Sequence, residues 1–267
     1  MKQLIWLSIV SGYRSNSFKL LIILCLGCIG LAWLSASFSA RSPDTIMLDV
    51  GLSLLRIVLT LMGVFWVQEL YYKDIERKAV IFLLAYPISR GQYLLARFTG
   101  VSLLVSCSVA FSALLLLLVM ISGDAEYAQA WPVNLGGPYL ATWLFFWLDI
   151  MLVVAFAFLL CSVSETPNLP TVCALGFSVA MHAMGPILDF LRFSAAADQS
   201  QKLLIQPLIE FFLAVLPDLD RLDIRPWTLY NEMPPADLMG LGAIMAIAYT
   251  LLFLSLSVIC LNRREIN

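Results

Sequence analysis

Residues 74–100 read DIERKAVIFLLAYPISRGQYLLARFTG, and they lie between two long apolar runs while matching neither in character. Lys73, Asp74, Glu76, Arg77 and Lys78 crowd charge at the start of the stretch. An apolar segment follows, Pro87 breaks it, and Arg97 leads into the next hydrophobic run. Such a cluster between two runs is what a membrane protein places in a loop, because charge is costly in hydrocarbon.

The composition of the rest agrees. Hydrophobic residues make up 61% of the 267 and charged residues 13%, with a mean hydropathy of +0.90. A soluble domain of this length needs far more polar surface. The chain therefore reads as an all-α integral membrane protein forming one transmembrane domain over 1–267. A net charge of −2 and the lack of any Lys/Arg-rich run exclude a nucleic-acid partner.

Crossing ~30 Å of hydrocarbon takes about 20 apolar residues. Six stretches qualify: 20–39, 50–70, 98–122, 138–162, 170–190 and 240–261. The first begins late for a cleaved leader and reads as a retained span. Residues 203–217 are apolar but interrupted by Pro207 and Glu210, which suits an interfacial or re-entrant helix. With both termini in the cytoplasm, ten basic residues lie inside and five outside, Arg56 being left within the membrane; this is the orientation the positive-inside rule favours. Residues 1–19 carry Leu4, Ile5, Trp6, Ile9 and Val10 ahead of a polar turn. They fit an elbow helix lying along the inner leaflet, the alternative being a frayed tail. The outer segment 191–239 is long and acidic. It reads first as a solvated face, with a basic extracytoplasmic protein or a cation at Asp218, Asp220 and Asp223 as alternatives.

Catalytic signatures are absent. There is no P-loop, no H-E-x-x-H and no G-x-S-x-G, and the chain has a single histidine. Asp149 and Asp189 lie at different depths, which argues against an intramembrane protease. No enzyme activity and no cofactor are expected of this chain. The six cysteines sit in or beside apolar runs and read as small hydrophobes.

Under this topology residues 73–90 are a cytoplasmic region. Asp74–Tyr86 is long enough for about three helical turns, with Ile75, Ala79, Phe82 and Tyr86 on one face and Glu76 and Arg77 away from it. Pro87 ends the helix, since the residue before proline avoids helical geometry. The plain reading is a connecting loop that holds orientation. An amphipathic helix in a chain with no energy-converting site also suits a docking surface for a partner that has one.

At this point the sequence resembles the permeases of type-2 ABC exporters. Their signature joins an acidic–basic pair to LLS-P-[IV]-S-R and LL-G-K-x-x-G. Glu76, Arg77, Leu83, Leu84, Pro87, Ile88, Ser89, Arg90, Leu94, Leu95 and Gly100 match it, while Lys78, Ala79, Ala96 and Arg97 depart from it. AVLPDLDRLDI, 214–224, is similar to the element preceding the family's last span. The nearest flavour is the six-span permeases of copper-enzyme maturation, sodium export and gliding systems. The resemblance implies a multi-pass protein of a bacterial-type inner membrane. It would be paired with a second copy of itself or a homologous permease and driven by two separate ATPase subunits that hold the ATP and Mg²⁺. A cytoplasmic coupling helix would present Glu76, Arg77, Lys78, Phe82, Tyr86, Pro87 and Arg90 to those subunits. The rival is a non-transporting scaffold or mechanotransmission subunit.

Within the spans, ionisable groups are functional candidates by default. Arg56 and Asp149 lie roughly 15 and 18 Å from the outer side at 1.5 Å per residue. They fit an ion pair that is either a structural staple or part of a substrate pathway. Met181, His182 and Met184 could pass on Cu(I), although methionines more often fill irregular interiors.

Overall fold

The structure, a computed structural model, describes residues 2–39, 41–76, 89–122, 133–166, 168–193 and 216–264. Its elements are helical: α1 Lys2–Tyr13, α2 Asn16–Ser37, α3 Pro43–Val67, a π-helical turn Gln68–Tyr72, α4 Lys73–Glu76 and α5 Arg90–Ser122. There follow α6 Gly137–Val163, α7 Leu169–Phe193, a 3-10 turn Leu219–Leu222, α8 Arg225–Tyr230 and α9 Ala236–Arg263. Among the described residues six helices are long and apolar enough to cross a membrane, and no strand occurs. The protein is an all-helical, multi-pass membrane protein with a short N-terminal helix. The second and third spans start earlier than hydropathy places them, at Pro43 and Arg90. Helical hydrogen bonding continues past the edge of the hydrocarbon, so polar residues join the helix ends.

Spans α3 and α6 form the centre, with 61% and 67% of their apolar windows buried, against 28% for α2 and α9. The outer helices leave Ile23, Trp33, Leu114, Ile244 and Leu251 exposed, as lipid-facing side chains should be. Phe156 of α6 stacks on Phe177 of α7 at 4.1 Å and meets Phe253 of α9 at 5.1 Å, locking three spans together. Pro43 at the first turn of α3 loses no intrahelical bond there. Ser15 caps α2 by accepting from the Phe18 N–H at 3.3 Å.

One face of the bundle carries both chain ends. Arg90 donates to the carbonyls of Leu261 and Arg264 at 3.0 and 2.7 Å, and Arg264 donates to those of Cys161 and Ser164 at 3.1 and 3.0 Å. Two guanidiniums thus satisfy the orphan carbonyls at the ends of α9 and α6. Helix α1 lies on α5, where Gly100 brings the backbones together: a Cβ there would sit 2.5 Å from Ser8 Cβ. The predicted interfacial segment 203–217 lies outside the described residues, apart from Leu216 and Pro217.

Candidate functional site

Asp49, Ser53, Arg56 and Thr60 follow one another at spacings of four, three and four, which places them on one face of α3. Ser178 and His182 share a face of α7 by the same rule, and Asp149 projects from α6. The segment before α9 closes the group. Leu219 and Leu222 are fully buried, and Thr228 of α8 bonds Thr142 of α6 at 2.7 Å. That pinning sets Asp223 and Arg225 against α3.

Arg56 is 9% exposed and Asp149 1% exposed. Arg56 Nε donates to Asp149 Oδ2 at 2.9 Å, its Nη1 donates to Asp223 Oδ2 at 3.0 Å, and its Nη2 contacts His182 Nε2. Its guanidinium also stands 5.0 Å from the centroid of the Phe146 ring. Arg225 donates from Nε and Nη2 to the Asp223 carboxylate at 2.8 and 2.6 Å. Its Nη1 reaches Asp49 at 3.3 Å and also bonds Ser53. Asp223 is the hinge of the group, a carboxylate shared by two guanidiniums. Burial alone would raise its pKa, but the hydrogen bonds from Arg225 and the charge of Arg56 hold it below the ordinary carboxylate value. Asp220 goes the other way, raised by burial and by its like-charged neighbours Asp218 and Asp223.

Both ring nitrogens of His182 contact protein atoms. Its Nδ1 lies 2.7 Å from the Ser178 carbonyl oxygen, which can only accept, so Nδ1 donates. In the neutral ring Nε2 then accepts from Arg56. In the protonated ring Nε2 donates to Asp149 Oδ2, 3.2 Å away. Asp149 Oδ1 is buried and has no hydrogen-bond partner among the described residues. Asp49, Asp149 and Asp223 contact the two guanidiniums directly, and Asp220 lies close enough to interact with both.

Beside this cluster lies a cavity of about 580 Å³ between α3 and α7. Ser53, Arg56, His182 and Arg225 stand at one end of it, and Ile57, Leu61, Leu175 and Val179 supply apolar wall.

A second charged group ties the termini-bearing face together. Arg97, 4% exposed, forms an ion pair with Asp74 of α4 and donates from Nη1 to Ser8 of α1 at 2.8 Å. Tyr93 donates to the same Asp74 carboxylate at 2.9 Å.

The structure thus brings Arg56, Asp149 and His182 into one contact group. Met181 is buried beside it, but both ring nitrogens of His182 are engaged by protein atoms. Glu76 is exposed at the end of α4, and Arg90 caps α9. Arg77, Lys78, Phe82, Tyr86 and Pro87 lie outside the described residues. Sequence reasoning misses Arg225, and it names Asp223 only in a solvated or cation-binding acidic segment, not as a partner of Arg56. Asp218 and Asp223 are instead largely buried, paired with Arg221 at 3.0 Å and with Arg56 and Arg225. Among the described residues, no three acidic, His or Cys side chains converge on a point fit for a metal ion. One signal was available: a buried guanidinium presents five donors, more than Asp149 alone can accept, so further acceptors had to lie nearby.

A bundle of six spans with a charge cluster and a cavity between two of them defines a polytopic membrane protein. The chain belongs to the ABC-2 family of transporter proteins, whose family model matches residues 19–266. It is the membrane-spanning permease of an ABC transporter, a class that works with ABC ATPase subunits in the membrane. The comparison with curated proteins found no match.

Proposed function

We propose that this permease works as a dimer in a bacterial-type inner membrane, driven by two separate ATPase subunits on the face carrying both termini, and that it exports a substrate. In this reading both termini are cytoplasmic and residues 74–86 form the coupling helix, with Glu76, Arg77, Lys78, Phe82 and Tyr86 meeting the ATPase.

The observation that carries the reading is the buried Asp74–Arg97–Ser8 linkage. It joins the start of the coupling region to α5 and to the elbow helix α1, so a push on residues 74–86 is transmitted to two elements at once. The π-helical turn at Gln68–Tyr72, immediately before this point, is a feature frequent at functional sites. The α3–α7 cavity favours a translocated cargo over a purely mechanical role.

The test is co-purification with the ATPase encoded beside this chain, then ATP hydrolysis and transport in lipid nanodiscs with and without Arg77→Glu. The expected result is a stable complex whose coupled activity falls in the mutant while the permease remains folded. Unchanged coupling in Arg77→Glu would overturn the assignment of 74–86. A functional complex that moves no solute would leave the scaffold reading in its place.

A further inference from the structure

The α3–α7 cavity has a polarity gradient. Ser53, Arg56, His182 and Arg225 gather at the end that faces α8, and the wall becomes mainly aliphatic from Ile57 to Leu61 along α3 and from Val179 to Leu175 along α7, interrupted by Ser178 and by Thr60, whose hydroxyl is bonded to the Arg56 carbonyl at 2.9 Å. Ser53 to Leu61 is eight residues of helix, about 12 Å. The rim is apolar too: Ile57 is 63% exposed and Val179 71% exposed, so the opening faces whatever surrounds the bundle. Where no second copy covers it in the membrane, that is lipid hydrocarbon. A polar end, an aliphatic length and a hydrophobic mouth are the pattern of an amphiphile that enters sideways from the bilayer.

The polar end also selects the head. The side chains that line it are hydrogen-bond donors, and none of the neighbouring carboxylates lines the cavity. Arg225 keeps its Nε and one Nη2 hydrogen on Asp223. Its Nη1 contact to Asp49, at 3.3 Å, is the longest bond of the cluster, and the Asp49 side chain is 50% exposed. An exposed ion pair of this kind contributes little. An incoming acceptor can therefore replace Asp49 on Nη1 and take the second Nη2 hydrogen as well, which is the fork geometry a guanidinium offers to a carboxylate or phosphate. Ser53, already bonded to Nη1, stands beside that position.

We propose that the α3–α7 cavity binds a single-chain amphiphile with an acidic head, its carboxylate or phosphate on Arg225 and Ser53 and its chain along Ile57, Leu61 and Leu175. This deepens the exporter reading by naming its substrate class, and it rests on that reading only for the claim that the bound molecule is moved.

Binding is measured on the full-length permease alone, purified in dodecyl maltoside, so no ATPase is needed. The probes share a twelve-carbon chain and differ in head: dodecanoate, dodecyl phosphate and dodecyltrimethylammonium. Inorganic phosphate is the fourth probe. Saturable binding of one or both acidic probes, at least tenfold tighter than the cationic one and than inorganic phosphate, is expected. Preference for dodecanoate points to fatty acids as the source, and preference for dodecyl phosphate points to phospholipids. Arg225→Gln should weaken acidic-probe binding at least tenfold. Val179→Trp, at an exposed position, should do the same by filling the mouth, and it keeps the test valid if Arg225→Gln does not fold. Equal affinity for all three heads, tighter binding of the cation, or unchanged acidic-probe binding in Val179→Trp would each overturn the proposal. If the acidic probes bind as expected while no ATPase co-purifies, the site stands and the exporter reading is the one that fails.

Discussion

At the scale of single residues, Arg56 is the side chain whose surroundings were only half legible. Its pairing with Asp149 follows from similar depth and from the cost of leaving either charge alone in hydrocarbon. What depth could not supply was Asp223, which arrives from 167 residues further along the chain. This changes what a mutation can show. A charge swap of Arg56 and Asp149 would set an aspartate at 56 against Asp223, so incomplete recovery would not disprove the pair. The cleaner experiment removes both charges. Arg56→Met alone strips the buried Asp149 of its guanidinium and should destabilise by about 3–5 kcal/mol, and Arg56→Met with Asp149→Leu by less, because no unpaired charge then remains buried. Thermal unfolding in detergent reads this directly, and a double variant as damaged as the sum of the singles would contradict the pairing.

Asp220 offers a prediction with a pH sign. Burial and the charges of Asp218 and Asp223 raise its pKa, so its ionised form is the one the fold disfavours. Ionisation of Asp220 therefore costs stability as pH rises through its raised pKa, and the cost is absent below the ordinary value of 3.8. Asp220→Asn should stabilise the protein at neutral pH, with the advantage shrinking as pH falls toward 4. Asp223, with its lowered pKa, has the opposite sign: its contribution is present above 3.8 and is lost as pH falls further. Denaturation midpoints of wild type and Asp220→Asn at several pH values separate the two trends.

At the scale of elements, the contact of α1 with α5 shows why two glycines in similar packing differ. A Cβ at Gly100 would meet Ser8 Cβ at 2.5 Å, an atom fixed to the backbone, on a serine that also holds Arg97. At Gly12 the Cβ would meet the branched end of Leu104, its Cδ1 with Cδ2 and Cγ at 3.3 and 3.4 Å, atoms of a flexible side chain that can shift further than a Cβ can. Gly100→Ala should therefore cost about 1–3 kcal/mol, as overpacking does, while Gly12→Ala should be nearly neutral. Similar losses for both in a thermal-shift assay would mean that α1 does not seat on α5 as described. Helix α1 itself was legible as a short N-terminal helix from Leu4, Trp6 and Ile9. Its buried bond from Ser8 to Arg97 was not, because nothing in the spacing of residues 8 and 97 indicates contact.

At the scale of the whole molecule, the proposed coupling predicts a distinct phenotype at Asp74. Removing its charge leaves Arg97 buried, with Ser8 but no carboxylate. Asp74→Asn should still assemble with its ATPase, since the docking side chains are untouched, but its transport per ATP hydrolysed should fall several-fold. A loss of assembly, or full coupling, would show that the Asp74–Arg97 pair is not the link between residues 74–86 and the elbow.

The number of spans, their approximate positions, the helical class and the family signature around 76–100 were determined by the sequence alone. Each depends on local quantities, namely runs of apolar residues, charge in short loops and a contiguous motif. The charge cluster depended on tertiary structure. Asp49, Arg56, Asp149, His182, Asp223 and Arg225 come from four separate segments, and only the packing of α3, α6, α7 and the segment before α9 brings them within hydrogen-bond reach. The cavity is a matter of tertiary structure for the same reason: it is space left between α3 and α7, and no single helix carries the information for a gap between two. Hydrocarbon forces each span to satisfy its own backbone, which makes spans readable one at a time. It leaves the side chains to find partners across the bundle, and those partners become visible only once the bundle is assembled.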